Sequence, residues 1–116
     1  MNSKTYLLTP LLILLLLLTG CNRKQIVIGA SFSGNSEWSL QLFKEIEVAG
    51  YQYPNVDIDI RNAYKDMALQ EKQMNELIDK HVDLIIFAPR VYNGCQKVLQ
   101  RAKEAGIPVI LIDRKM

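Results

Sequence analysis

Four apolar runs alternate with amphipathic stretches from Gln25 onward and predict the order strand, helix, strand, helix, strand, helix, strand. Three runs are continuously apolar, which is typical of parallel strands buried on both faces. The other run, Val56–Arg61, alternates apolar with acidic residues and indicates a strand near the sheet's edge with one solvated face. The predicted strands are 25–30, 56–61, 82–88 and a buried last strand from Val109. This order predicts an α/β fold, a Rossmann-like parallel sheet with helices on both faces.

Capping residues place the ends of the three predicted helices. The first helix should begin near Glu37, after a polar loop, and the second after Asp66 as N-cap. Asn93 can cap the third, which runs to a C-terminal stop at Gly106. Gly50 costs the first helix ~1 kcal/mol relative to Ala, so it either lets the helix pack closely or ends it early.

Helical spacing also predicts which side chains face the sheet. The inner face of the first helix is predicted to consist of Trp38, Leu42, Ile46, Ala49 and Tyr53. The second helix has its predicted inner positions at Met67, Met74, Leu77, Ile78 and His81. In the third, Cys95 shares a face with Val98, Leu99 and Ala102, so we interpret this thiol as a small core residue. A nucleophilic role for Cys95 is the minor alternative, because it would need a basic partner.

The N-terminus has the pattern of an export sequence. Lys4 precedes an uncharged stretch that is continuously aliphatic from Leu11 to Leu18. The following Thr19-Gly20-Cys21 completes a segment that resembles the lipobox of bacterial lipoproteins, in which the thiol of Cys21 would carry the lipid. An uncleaved signal anchor is the alternative, since the uncharged run is near the lower limit of ~17 residues for a membrane helix. We expect a leader over 1–21, a tether over 22–24 and a folded domain over 25–116, anchored at the membrane and facing the periplasm.

Charge and residue inventory exclude several classes of function. The net charge is +2, and Lys and Arg are interleaved with Asp and Glu, so no basic stripe indicates nucleic acid. One histidine and two cysteines supply no metal-ligand cluster, and we expect neither a metal nor a cofactor. Gly29 and Gly34 lack the spacing of a phosphate-cradling loop. A Ser-His-Asp site would depend on His81, which is predicted at the amino-terminal side of the sheet, so we expect no enzyme and no catalytic residue.

Three runs point to a known family: 28–31 opening a polar loop before Trp38, 81–89, and 105–114, where Ile-Pro-Val and further aliphatics lead to Asp113-Arg114. Together they resemble the N-terminal half of type I periplasmic binding proteins of the ribose and galactose class, which share their fold with LacI-type effector domains. The placement of Trp38, the turn over 53–57 and the ending over 113–115 are most similar to periplasmic sensor domains of hybrid two-component kinases. One departure is Lys80-His81, where relatives usually carry Gly.

The resemblance implies two Rossmann-like lobes joined by a hinge and closing on a small polar ligand, usually a sugar. We therefore expect the chain to be one incomplete lobe that binds a small carbohydrate, without catalysis, for an ABC permease. The alternative partner is a histidine kinase, for which the domain would sense sugar rather than deliver it. A third alternative is a truncated fragment without useful binding.

The resemblance and the topology together select five candidate ligand-binding residues. Asn35 and Trp38 match the family's positions for a polar contact and an aromatic platform, and Arg90, Asp113 and Arg114 follow later strands. Ligands bind beyond the carboxyl ends of parallel strands, so all five should face one crevice. The alternatives are core packing for Trp38, a capping or turn role for Asn35 and a solvated loop charge for Arg90.

Overall fold

Four strands and three helices form the part of the chain that the computed structural model describes, residues 24–91 and 93–112. The bounds are β1 Ile26–Phe32, α1 Glu37–Tyr51, β2 Val56–Asn62, α2 Met67–Asp79, β3 Leu84–Ala88, α3 Gln96–Glu104 and β4 Val109–Leu111. The strands form one parallel sheet in the order β2-β1-β3-β4. The predicted α/β class and element order are confirmed, and β2 lies at an edge as expected.

The observed strand boundaries differ from the predictions by one or two residues, and pairing explains the larger differences, in β1 and β3. β1 continues through Ser31 and Phe32, since both residues pair with β2 on one side and β3 on the other. β3 begins at Leu84 rather than Val82. Just before it, the carboxylate of Asp83 accepts a hydrogen bond from the Val27 backbone N–H at 2.9 Å. β1 and its edge neighbour β2 are therefore the longest strands, with seven residues each.

The main core lies between the sheet and the face formed by α2 and α3. Its fully buried members include Leu77 of α2, Ile85 of β3 and Ala102 of α3, with Phe87 and Val98 almost as buried. Gly29 of β1 lets α2 approach, since a Cβ there would lie 2.9 Å from both Leu77 methyl carbons. This close approach places α2 directly over β1.

Helix α1 packs on the opposite face of the sheet. A Cβ on Gly50 would lie 2.6 Å from Ile58 Cδ1 of β2, so the glycine is what allows this contact. The helix continues past Gly50 to Tyr51, which decides between the two predicted roles in favour of close packing. The rings of Phe43 and Phe32 are in contact, with centroids 4.2 Å apart and planes tilted by 51°. Helices thus cover both faces, as predicted.

The predicted inner face of α1 was wrong at three of its five positions. Trp38, Ala49 and Tyr53 are exposed, whereas Ser39 and Gly50 are buried. The physical reason is size: the helix is closest to its neighbours at small residues. The face is rotated by one position, so the indole of Trp38 points away from the core.

Helix α2 matches its prediction in the middle and departs from it at both ends. Met74, Leu77 and Ile78 are buried, but Met67 and His81 are exposed. His81 follows the last turn with φ of 54°, the left-handed conformation that a glycine adopts more easily. At the other end, Asp66 caps the helix as predicted by accepting a hydrogen bond from Leu69 N–H at 3.0 Å.

The third helix and the last strand also differ from expectation. Asn93 is not the cap of α3: that position belongs to Cys95, whose side chain makes no capping bond. Gly106 ends the helix in the left-handed conformation, with φ of 72°. β4 is not buried on both faces, because Ile110 is 49% exposed. Ile110 pairs with Ile86 on the α1 side of the sheet, while α1 packs over β2, at the opposite edge of the sheet from β4.

Candidate ligand-binding site

A cavity of about 400 Å³ opens at the carboxyl-terminal ends of β1 and β3. From β1 the chain leads through α1 to β2 on one side, and α2 then returns past β1 to β3 on the other. Connections that diverge in this way leave a crevice, which is where open parallel sheets bind ligands. The lining residues come from the loops after β1, β2 and β3 and from the first turn of α1: Phe32, Ser33, Gly34, Ser36, Trp38, Ser39, Lys65, Ala88, Pro89, Arg90 and Val91.

The loop after β1 forms one wall of the cavity. Ser33 is only 7% exposed, and its hydroxyl has no hydrogen-bond partner among the described residues. Gly34 is held against α1, since a Cβ there would lie 2.7 Å from Ser39 Oγ. Ser36 begins the helix by accepting a hydrogen bond from Ser39 N–H at 3.2 Å. The amino-terminal, electropositive end of α1 therefore lies at the cavity wall.

The loop after β2 brings a cation to the cavity. Tyr64 and Lys65 both have positive φ, 47° and 74°, which is uncommon for residues other than glycine. Asn62 stabilises this geometry: its side chain accepts from Tyr64 N–H at 2.9 Å and donates to the Gly34 carbonyl at 2.8 Å. The same asparagine thus joins the loops after β1 and β2.

The loop after β3 supplies the remaining wall. The buried amide of Gln70 donates to the Ala88 carbonyl at 3.0 Å, which ties the end of β3 to α2. Pro89 is buried next to it, and Arg90 is exposed at the cavity. The cation of Arg90 therefore lines the same cavity as the cation of Lys65.

Two of the five predicted ligand-binding residues line the cavity. Trp38 is 55% exposed and lines it, so the core-packing alternative was wrong for this residue. Arg90 also lines it. Asn35 is exposed between Gly34 and Ser36 but does not line the cavity, and it is not the cap either, because Ser36 is.

The other predicted site residues, Asp113, Arg114 and the lipidation candidate Cys21, lie outside the described residues. Within the described ranges, no helix is long and apolar enough to cross a membrane. Ser33 and Lys65 line the cavity but were not among the candidates. Lys65 could have been found, because it follows β2 just as Arg90 follows β3. Ser33 could not, because the sequence does not show that its hydroxyl is buried without a partner.

Reactive groups lie away from this cavity. His81 is exposed between α2 and β3, at the amino-terminal ends of the strands, whereas the cavity lies at their carboxyl-terminal ends. Cys95 is half-buried and donates to the Val91 carbonyl at 3.2 Å, and burial, helped by the charge of Glu71, raises the pKa of its thiol. Among residues 24–91 and 93–112, no group of three or more His, Cys, Asp or Glu side chains could hold a metal ion. The cavity offers hydrogen-bond donors, two cations and an indole surface, which suit noncovalent binding.

Comparison with known proteins identifies the family. Residues 26–116 match the model of the periplasmic binding protein domain. The chain belongs to this family. The periplasmic binding protein domain thus includes all seven described elements, and the resemblance noted in the sequence is confirmed.

Relatives of this periplasmic binding protein domain include transport and sensor proteins. The ribose import binding protein of Bacillus subtilis is 29% identical over 94 residues, which cover 80% of this chain and 30% of that protein. An ABC transporter solute-binding protein of Bacillus halodurans, solved with bound myo-inositol, is 26% identical with a TM-score of 0.76, over 83% of this chain and 33% of that one. A fructose-binding periplasmic domain of a hybrid two-component system is 30% identical with a TM-score of 0.73, over 78% of this chain and 30% of that one. The chain spans about a third of the length of these relatives.

Proposed function

We propose that this domain binds a small carbohydrate without chemical conversion, as one lobe of a type I solute-binding protein. The observation that carries the proposal is the cavity at the ends of β1 and β3, where the exposed indole of Trp38 stands beside polar groups. An aromatic ring can cover the C–H face of a sugar, while planar charged groups such as the Arg90 guanidinium bind its oxygens. The ligands in the names of the relatives, ribose, myo-inositol and fructose, are polyhydroxylated and support the same class of ligand.

Delivery of the sugar to an ABC permease is the output that we favour. Both the ribose import protein and the myo-inositol complex are named as transport components. In this role a second lobe would close over the cavity and supply the facing wall. Since enclosure provides much of the affinity of such sites, we expect the described lobe alone to bind sugars no more tightly than about millimolar.

Sugar sensing for a histidine kinase is the second candidate, because the fructose-binding sensor domain has a TM-score of 0.73 with this chain. Deletion of the gene separates the two outputs. Loss of sugar uptake with intact sugar-induced transcription supports transport, and the reverse result supports sensing.

The location that we propose is the periplasm, with an anchor at the N-terminus. Membership of the family supports the periplasmic location. The proposed N-terminal anchor rests on the sequence from Leu18 to Cys21. Mass spectrometry of the membrane fraction should show a diacylglycerol on Cys21, and a Cys21→Ser variant should remain unprocessed. An unmodified thiol behind an uncleaved leader would favour a signal anchor instead.

Trp38 gives a direct test of sugar binding, because it is the only tryptophan in the chain. Titrating the full chain with pentoses, hexoses and myo-inositol should change its fluorescence in a saturable way for at least one of them. Calorimetry of Trp38→Ala should show loss of that binding, while Leu40→Ala, an exposed position on the same helix outside the cavity, should retain it. Tighter binding of an amino acid such as leucine than of any sugar would contradict the proposal.

A further inference from the structure

The charges that line the cavity are all positive among the described residues. Lys65 enters from the loop after β2 and Arg90 from the loop after β3, and no Asp or Glu is among the lining side chains. We propose that the ligand is an anionic carbohydrate, a monosaccharide bearing a carboxylate or a phosphate, whose charged group lies near Lys65 and Arg90. This inference rests on the proposed carbohydrate-binding function and names the ligand class.

Neither cation is neutralised by a described acidic residue. The six ion pairs found among residues 24–91 and 93–112 all use other cations: Lys24, Arg61, Lys72, Lys80 and Arg101. Asp66, the neighbour of Lys65 in sequence, uses its carboxylate to cap α2 through Leu69 N–H. An anion would therefore meet positive potential that nothing described compensates.

The first turn of α1 adds to this potential. The helix has 15 residues, and its N-cap, Ser36, lines the cavity. Ser36 Oγ accepts the Ser39 N–H, whereas the N–H groups of Glu37 and Trp38 have no acceptor within the helix. Such groups at a helix N-terminus favour a bound anion.

Ser33 indicates that the anion belongs to a polyhydroxylated molecule. Its hydroxyl is buried at the cavity wall without a partner among the described residues. An unsatisfied buried hydroxyl is costly, and this one can reorient toward a ligand by rotation about a single torsion. A sugar hydroxyl can both donate to and accept from Ser33. The cavity volume of about 400 Å³ is within the range of small-molecule sites and exceeds what a bare inorganic anion needs.

Matched sugars test the inference. The full chain is titrated at constant ionic strength, following Trp38 fluorescence, with glucose, glucuronate and glucose 6-phosphate, with the corresponding galactose set, and with ribose and ribose 5-phosphate. We expect at least one anionic member to bind tenfold or more tightly than its neutral parent, and carboxylate and phosphate members together show which anion is preferred. Equal or tighter binding of the neutral parent in every set overturns the inference and leaves the proposed function standing. If no sugar of either charge binds even at concentrations well above millimolar, both fail.

Two controls exclude trivial outcomes. Inorganic phosphate should bind at least tenfold more weakly than the best anionic sugar, and equal affinity would mean that the cavity holds an ion only. The double variant Lys65→Gln with Arg90→Gln should reduce the preference for the anion to less than threefold. Lys44→Gln with Lys97→Gln removes two exposed charges outside the cavity and should keep the preference. If both double variants reduce the preference for the anionic sugar equally, long-range attraction by the overall positive charge is responsible and the inference is wrong.

Discussion

Several charged groups around α2 form ion pairs, whereas Lys65 and Arg90, which line the cavity at the carboxyl-terminal ends of β1 and β3, form none among the described residues. On the α2 side, Arg61 binds both Asp59 and Glu76, and Lys80 lies 2.7 Å from the same Asp59. At the cavity, Lys65 and Arg90 make no described ion pair. The first arrangement stabilises the fold, and the second leaves interactions available for a ligand. Paired charges thus stabilise the packing around α2, whereas the cations at the cavity remain without described partners.

The largest expected effect tests the packing of α2 against the sheet. Leu77→Ala removes a fully buried side chain between α2 and β1 and should lower the free energy of unfolding by about 2–5 kcal/mol, through lost burial and the cavity left behind. Urea denaturation of the full chain measures the change. Leu40→Ala, at a position 50% exposed, is the matched control and should cost less than about 1 kcal/mol. Equal costs would mean that the described core does not hold the fold together.

The paired charges should give the next effect. Arg61→Met removes the guanidinium that Asp59 and Glu76 share and leaves a mostly buried carboxylate with fewer partners, at a cost of about 1–3 kcal/mol. Lys72→Met affects only an exposed pair at 4.0 Å and should change stability by less than about 0.5 kcal/mol. An Arg61→Met protein as stable as the Lys72→Met protein would mean that the ion pairs of Arg61 do not stabilise the fold. The contrast with the unpaired cations at the cavity would then be lost.

Acid should weaken the paired side over a defined range. The hydrogen bond from Arg61, followed by that from Lys80, lowers the pKa of Asp59 from 3.8 to about 2. A depressed carboxyl pKa contributes stability that is complete above the unfolded value and is lost as the pH falls from about 4 to 2. Allowing for solvent screening, we expect a loss of about 1 kcal/mol from this group. The stability difference between the original protein and Asp59→Asn, measured by urea denaturation, should shrink across this window, and a constant difference would contradict the assignment.

Two buried serines at the cavity provide the smallest and most specific test. Ser39 Oγ donates to the Ser36 carbonyl at 2.8 Å, while the hydroxyl of Ser33 has no described partner. Ser39→Ala should therefore destabilise the ligand-free protein by about 1 kcal/mol, and Ser33→Ala should leave it unchanged or stabilise it by up to about 1 kcal/mol. Thermal unfolding compares the two. A destabilising Ser33→Ala would indicate a structural role rather than a hydroxyl reserved for ligand.

Topology and the family resemblance together located part of the candidate site. Arg90 was found because it follows a strand, and the same rule applied to β2 would have found Lys65. Trp38 was selected for the site, but helical periodicity also placed it on the inner face, and only the packing of α1 resolved the conflict. Asn35 could not be judged from its position in a loop, since a neighbouring residue, Ser36, took the capping role.

The sequence by itself determined the alternation of strands and helices, the parallel sheet and the end of the sheet where the candidate cavity lies, because these depend on hydrophobic period and on local punctuation such as Asp66 and Gly106. Only the tertiary structure decided which side of α1 is buried and how exposed β4 is, because both depend on where small residues allow close approach and on which elements lie above a strand. It also decided which polar groups are left unpaired at the cavity. A hydrogen bond needs two groups to meet in space, and for Ser33 and its surroundings no pattern along the chain specifies that meeting.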